Sequence, residues 1–209
     1  MKPMTKTNGA LVEEVVNNYI TRFAMDSKAA RMFSRGLEPL GLNLRTLVDL
    51  ITVRTLDVDK RAKEFLDLGF EWDQELGVLE FDNWWAKVYR RPAFPAVFID
   101  QAYEGERGKG SLIPAWVDKF GDRVLHHVAV MVGDIERAIA DLKSKGIECV
   151  GEIVGSRGGP LRQIFTAPEV KDGQPYTVLE LTERHAGYLG FMPPQADSLM
   201  KSTALQKAS

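Results

Sequence analysis

The feature that most constrains this chain is that it repeats itself. Val53-Arg54-Thr55-Leu56-Asp57-Val58-Asp59-Lys60 lies without a gap over Val130-Met131-Val132-Gly133-Asp134-Ile135-Glu136-Arg137, an offset of 77 residues from Val53 to Val130. At the same offset Phe65 meets Leu142, Gly69 meets Gly146, Phe70 meets Ile147 and Glu71 meets Glu148. One supersecondary unit is therefore built twice. Each copy begins with an apolar strand, Leu47 to Leu56 or Val124 to Val132, that runs into an aspartate able to accept from the free N–H groups of the next helix. Each helix then meets a glycine, Gly69 or Gly146, where a left-handed residue without a Cβ is wanted. Three short strands follow: Phe70 to Asp73, Gly77 to Tyr89 with an internal turn, and Ala96 to Asp100 in the first copy, and Ile147 to Val154, Leu161 to Thr166 and Tyr176 to Leu181 in the second. The pattern predicts an α+β fold in which two βαβββ modules form a curled mixed sheet around a central cleft.

The flanks read differently. Leu11, Val12, Val15, Val16, Tyr19, Ile20 and Phe23 make one apolar stripe at helical spacing, and Ser27 to Leu40 predicts a shorter helix stopped by Gly36 and Pro39. This divides the chain into an N-terminal helical extension (1–45), a first module (46–105), a linker with a connecting helix (106–123), a second module (124–192) and a tail (193–209). Leu112, Ile113, Trp116, Val117 and Phe120 supply the apolar face of the connecting helix, while the tail reads as poorly ordered beyond Leu199-Met200.

Composition removes several function classes. Lys and Arg number 27 against 29 Asp and Glu, so no dominant footprint for nucleic acid is expected, and Trp84-Trp85 with Lys87, Tyr89, Arg90 and Arg91 is only a weak one. No apolar run approaches the roughly 18 to 20 residues that span a bilayer, and the N-terminus lacks a signal-peptide core. The single cysteine, Cys149, forms neither an internal disulfide nor a zinc cluster; it reads as core packing in a cytoplasmic protein. Gly155-Ser156-Arg157-Gly158-Gly159-Pro160 reads as a hairpin, because it lacks the Gly-Lys-Ser/Thr ending of a phosphate loop.

Three histidines limit the search for chemistry: His126, His127 and His185. The adjacent pair lies in a strand, where neighbours point to opposite faces, so only one of them is expected in the cleft. Alternation groups His127 with Ala129 and Met131, and His126 with Val128, Val130 and Val132, without saying which group faces the cleft. In the last strand Glu180 interrupts the apolar run Val178-Leu179-Glu180-Leu181. A carboxylate there is either solvent-facing, paired with a cation or bound to a metal, since an unpaired buried one is costly.

The repeated βαβββ pattern resembles the vicinal oxygen chelate superfamily. Within it, His126-His127-Val128-Ala129-Val130, Leu161-Arg162-Gln163-Ile164-Phe165-Thr166 and Leu179-Glu180-Leu181-Thr182-Glu183-Arg184 are similar, in order and spacing, to the C-terminal domain of 4-hydroxyphenylpyruvate dioxygenase. The linker Lys109-Gly110-Ser111-Leu112-Ile113 is similar too. Val48-Asp49-Leu50-Ile51-Thr52-Val53-Arg54-Thr55, Phe94-Pro95-Ala96-Val97-Phe98-Ile99, Gly190-Phe191 and Ala196-Asp197-Ser198 resemble the 2-oxoadipate dioxygenase/decarboxylase family, also called 2-hydroxyglutarate synthases.

That resemblance implies a mononuclear Fe(II), or another divalent metal, held by two histidines and a glutamate, with open positions for a 2-oxo acid and dioxygen. His127 matches the second histidine and Glu180 the glutamate. The first histidine follows Asp in an Asp-His-Ile-Ala-x-Arg-Thr pattern, and Leu50 stands there. Asp100 is the expected substitute, because the superfamily also draws a ligand from that strand end; alternation turns Asp49 away. Arg54 matches the arginine that grips a substrate carboxylate, a bidentate task suited to guanidinium, and Gln163 matches a glutamine lining the active site. The implied function is an Fe(II)-dependent dioxygenase-type oxidoreductase acting on a small 2-oxo or other carboxylate-bearing substrate. Leu50 supports the alternative, a binding module with a degraded metal site that holds a small molecule without turnover. A carboxylate small molecule is the expected partner, nucleic acid and membrane are not, and a homodimer stays open.

Overall fold

The repeat is realised atom for atom at its caps. The computed structural model describes residues 6–202, and in it Asp57 Oδ1 accepts from the Lys60 N–H and Asp134 Oδ1 from the Arg137 N–H, both at 2.9 Å. Gly69 and Gly146 close the two helices at φ +82° and +73°, a region closed to most side chains. Before the repeat, α1 (Lys6–Asp26) buries Val12, Val16, Ile20 and Phe23 on one stripe, and α2 (Lys28–Leu37) starts where the Ser27 hydroxyl accepts from the Ala30 N–H. Gly36 does not stop α2, which runs one residue past it before Pro39 enters a short 3-10 turn.

The first module comprises β1 (Val48–Arg54), α3 (Val58–Asp67), β2 (Glu71–Trp72), β3 (Val78–Glu80), β4 (Trp84–Arg90) and β5 (Ala96–Ala102). After α4 (Ile113–Phe120), the second comprises β6 (Leu125–Met131), α5 (Ile135–Ser144), β7 (Cys149–Val154), β8 (Leu161–Thr166), β9 (Glu169–Lys171) and β10 (Gln174–Arg184). The strands form one mixed sheet in the order β2-β4-β5-β1-β6-β10-β8-β7, with β3 beside β4 and β9 beside β10. From its centre each half reads alike: first strand, its parallel last strand, then antiparallel neighbours. The halves join through the antiparallel β1–β6 pair. An Asp172-Gly173 turn with both φ positive folds β9 back on β10, extending that strand to 11 residues; this Asp-Gly hairpin signal is additional to the expected strands.

Alternation sends the two faces to different cores. Ile51, Val53, Val97, Ile99, Val128, Val130, Leu179 and Leu181 pack under the helices that precede and connect the strands. Leu50, Ala86, Val88, Phe98 and Ala129 line the other face with Ile113, Trp116 and Val117 of α4. Each fully buried large side chain is worth about 1.5 to 3 kcal/mol, so both faces are strongly specified.

The C-terminal segment is helical up to and two residues past the Leu199-Met200 pair. Residues 193–202 form α6 (Pro193–Ser202), lying across β7 and β8 with Leu199 buried; the rest of the expected tail lies outside the described residues. Asp197 holds α6 in place, its Oδ1 accepting from the Trp84 indole N–H at 3.0 Å.

Candidate ligand-binding cleft

Four adjacent strands bring the polar residues of the second face together. Register places Thr52 beside His127, Ala129 beside Glu180, and Thr182 beside Gln163. Glu180 is 1% exposed yet not unpaired. Its Oε1 accepts from the Thr182 hydroxyl at 2.9 Å and from the Gln163 amide, and its Oε2 lies 3.2 Å from His127 Nε2. The same ring nitrogen is 2.8 Å from Thr52 Oγ1. Gln163, buried, is thus a donor to the carboxylate rather than a solvent-facing amide.

Both adjacent histidines face the cleft, which corrects the expectation of one. Between Thr52 and Val53 the partner residues step from His127 to Leu125, so β6 carries one extra residue. Such a bulge breaks strict alternation and re-aims a side chain. His126 Nδ1 consequently lies 2.9 Å from His127 Nδ1, one ring donating to the other. Burial, then the neighbouring Arg54 and His127, hold His126 well below the usual imidazole range. It is neutral at physiological pH.

One register position further along, Arg54 and Asp100 face each other across β1 and β5. Both are almost wholly buried. Arg54 Nε sits 3.7 Å from Asp100 Oδ2, an ion-pair distance too long for a hydrogen bond. Arg54 Nε and Asp100 Oδ1 have no hydrogen-bond partner among the described residues. A terminal nitrogen of Arg54 donates to the Met200 sulfur of α6 at 2.8 Å, and Trp116 lies 5.7 Å from the guanidinium. Burial lowers the Arg54 pKa to about 10 against the opposing effect of Asp100, and raises the Asp100 pKa to about 7 against that of Arg54.

These residues do not fit a three-ligand iron centre. His127 and Glu180 come together, but the third wall position is Leu50, 2% exposed, whose alkyl chain offers no donor. Asp100 does not complete the set: its carboxylate faces Arg54, and it is absent from the one group of three donor atoms within 4.8 Å of one another among the described residues. That group, Asp134, Glu136 and Glu183, lies at the start of α5, where Asp134 caps the helix and the other two pair with Arg162 at 2.6 and 3.2 Å. Each of the three carboxylates thus already has a hydrogen-bond or ion-pair partner. Asp49 faces away from the cleft and pairs with Arg184 at 2.9 Å.

Two cavities meet at Arg54 and His126. The inner one, about 40 Å³, contains Leu50, His127, Gln163 and Glu180 and is closed by Phe191, Ala196, Leu199 and Met200. The outer one, about 410 Å³, opens between α4 and the β9–β10 hairpin. A wider groove near Arg45, Asp49, Arg90 and Leu189 lies away from this polar cluster. Sequence reasoning missed His126, because a bulge leaves no local mark, and Met200, because its helix lies in a stretch that reads as a tail.

No family model and no curated protein matches the sequence. Solved structures do match. Hydroxyglutarate synthase from Oryza sativa, in complex with 2-oxoadipate, superposes with TM-score 0.73 at 16% identity, covering 97% of this chain and 95% of that one. A protein from Shewanella frigidimarina NCIMB 400, provisionally named a hydrolase, gives 0.71 at 21% identity over 87% and 98%. A variant of 4-hydroxymandelate synthase from Streptomyces coelicolor gives 0.57 at 14% over 75% of this chain and 54% of that one. The chain has the vicinal oxygen chelate, or glyoxalase-like, fold.

Proposed function

We propose that this vicinal oxygen chelate fold is a binding protein for a small carboxylate, that Arg54 grips the acid group, and that its cleft lacks the third protein ligand a mononuclear iron centre needs. The observation that carries the reading is the buried, incompletely bonded Arg54 guanidinium at the junction of two cavities. A buried donor without a partner costs about 1 to 3 kcal/mol. A carboxylate recovers that cost through short, charge-assisted hydrogen bonds to the planar fork. Asp100 neutralises the guanidinium only in part, since burial disfavours its own charge. Its protonation leaves Arg54 free for an incoming anion. Gln163, Thr182 and Thr52 keep Glu180 and His127 bonded without an ion. The single cysteine leaves no internal disulfide to form, and we read the compartment as the cytoplasm.

The 3.2 Å approach of His127 to Glu180 favours a second reading, an Fe(II)-dependent dioxygenase acting on a 2-oxo acid. The likeness to a hydroxyglutarate synthase holding 2-oxoadipate supports the same direction. One calorimetric series separates the two. Metal-free protein should bind 2-oxo acids, and Arg54→Met should abolish that binding. Tight one-to-one Fe(II) binding, lost in Glu180→Ala and accompanied by acid-dependent oxygen uptake, would overturn the first reading in favour of the second.

A further inference from the structure

We infer that the body of the bound acid lies in the outer cavity, between α4 and the β9–β10 hairpin, and that the ligand class is therefore a monocarboxylic acid with an aryl or alkyl chain. This rests on the reading of Arg54 as the acid grip. Volume is the first argument. The inner cavity, about 40 Å³, has room for roughly one water, whereas the outer, about 410 Å³, falls within the range of small-molecule sites.

The chemistry of the walls is the second. Trp116, Phe120 and Tyr176 form a packed aromatic group, with ring centroids 5.4 Å apart for Trp116–Phe120 and 4.7 Å for Phe120–Tyr176. Their polar tips are already used: the Trp116 indole N–H donates to the Tyr176 carbonyl at 2.7 Å, and the Tyr176 hydroxyl to Asp26 at 3.3 Å. The rings, with Pro168, Pro175 and Val178, thus present carbon to the cavity.

Charge is the third. Arg54, 2% exposed, is the buried cation lining this cavity, while Lys119 stands exposed at its rim. An acid group seated on Arg54 starts its chain beside Trp116, 5.7 Å from the guanidinium. A second carboxylate buried among these rings and prolines would lose its water without gaining a partner, since Lys119 stands only at the rim. Dicarboxylates too short to reach Lys119 are disfavoured for that reason.

The test is calorimetric binding of 4-phenylbutyrate, octanoate and 2-oxoadipate to the full chain in metal-free buffer, using wild type, Arg54→Met, Arg54→Lys and Ala115→Phe. Ala115 is an exposed residue on the cavity wall, so phenylalanine there narrows the entrance without disturbing a core. The expected result is that the two monocarboxylates bind at least about ten-fold more tightly than 2-oxoadipate, and that Ala115→Phe weakens them by a similar factor. Arg54→Met should remove binding of all three acids; Arg54→Lys, which keeps charge but loses the fork, tests the same point if the methionine variant does not fold. Tighter binding of the dicarboxylate, or monocarboxylate binding indifferent to Ala115→Phe, overturns this inference and leaves the acid grip standing. Acid binding indifferent to both Arg54 variants, or absent in the wild type, overturns the grip itself.

Discussion

Replacing Leu50 by histidine sets a nitrogen donor on the wall that His127 and Glu180 share. Leu50 is 2% exposed, so the exchange forfeits part of about 1.5 to 3 kcal/mol of apolar burial and leaves an imidazole to satisfy. A net loss of about 1 to 3 kcal/mol follows from the unpaired polar group. For a chain of this size each kcal/mol moves the melting temperature by about 2 to 4 °C, so the metal-free variant should melt roughly 3 to 10 °C lower. Structural zinc sites release about 10 to 16 kcal/mol over four ligands, which makes a third donor worth about 3 kcal/mol, on the order of a hundred-fold in Kd. With metal at about a hundred times Kd the variant regains about 2.7 kcal/mol. Thermal melts with and without Co(II), or Fe(II) under nitrogen, read this directly: the variant should rise by roughly 5 to 10 °C and the wild type hardly at all. Adding Glu180→Ala should erase the rise. A wild type that shifts as far as the variant, or a variant that does not shift, would refute the two-donor account of the cleft.

Three further outcomes follow from other parts of the molecule. Glu183 accepts from the Ile135 N–H at 2.7 Å and pairs with Arg162 and His185, and these partners outweigh burial to hold its pKa below the usual value. Glu183→Ala should cost about 3 kcal/mol in urea unfolding because Arg162 loses a buried partner, while a loss no greater than that of the more exposed Glu136→Ala would show the network to be idle. Burial raises the Asp100 pKa to about 7, against about 3.9 in the unfolded chain, so its contribution to stability is complete below about pH 4 and lost as pH rises through about 7. Asp100→Asn should flatten that part of the stability profile; unchanged curvature counts against the buried pair. At Gly155, with φ +97°, an added Cβ would stand 2.2 Å from the Leu161 carbonyl oxygen, whereas at Gly158, with φ +74°, it meets open space. Gly155→Ala should therefore destabilise clearly more than Gly158→Ala, the latter by about 1 kcal/mol, and equal losses would mean that the loop relaxes freely.

The repeat was legible because every part of it is local. A period of two, an aspartate before a helix and a glycine after it act through neighbours within a few residues, and both copies fold at those positions as the pattern predicts. The same locality explains the α1 stripe and the placing of Glu180 and Gln163 on strands. That β10 begins earlier than expected was also written locally, in Asp172-Gly173, a hairpin signal easily passed over beside longer apolar runs.

What only the tertiary structure decided depends on residues far apart in sequence. The extra residue in β6 exists only relative to β1, and it is what turns His126 toward His127. Arg54 meets Asp100 through the parallel pairing of β1 with β5, so an aspartate expected as a metal donor became the counter-ion of a buried guanidinium. Met200 reaches the guanidinium across 146 positions of sequence, closing the inner cavity and leaving the outer one open. Hydrogen bonding within a turn or cap is set by the chain itself, whereas the burial that leaves the Arg54 Nε without a hydrogen bond and raises the Asp100 pKa arises only when separate strands and helices exclude water from the same space.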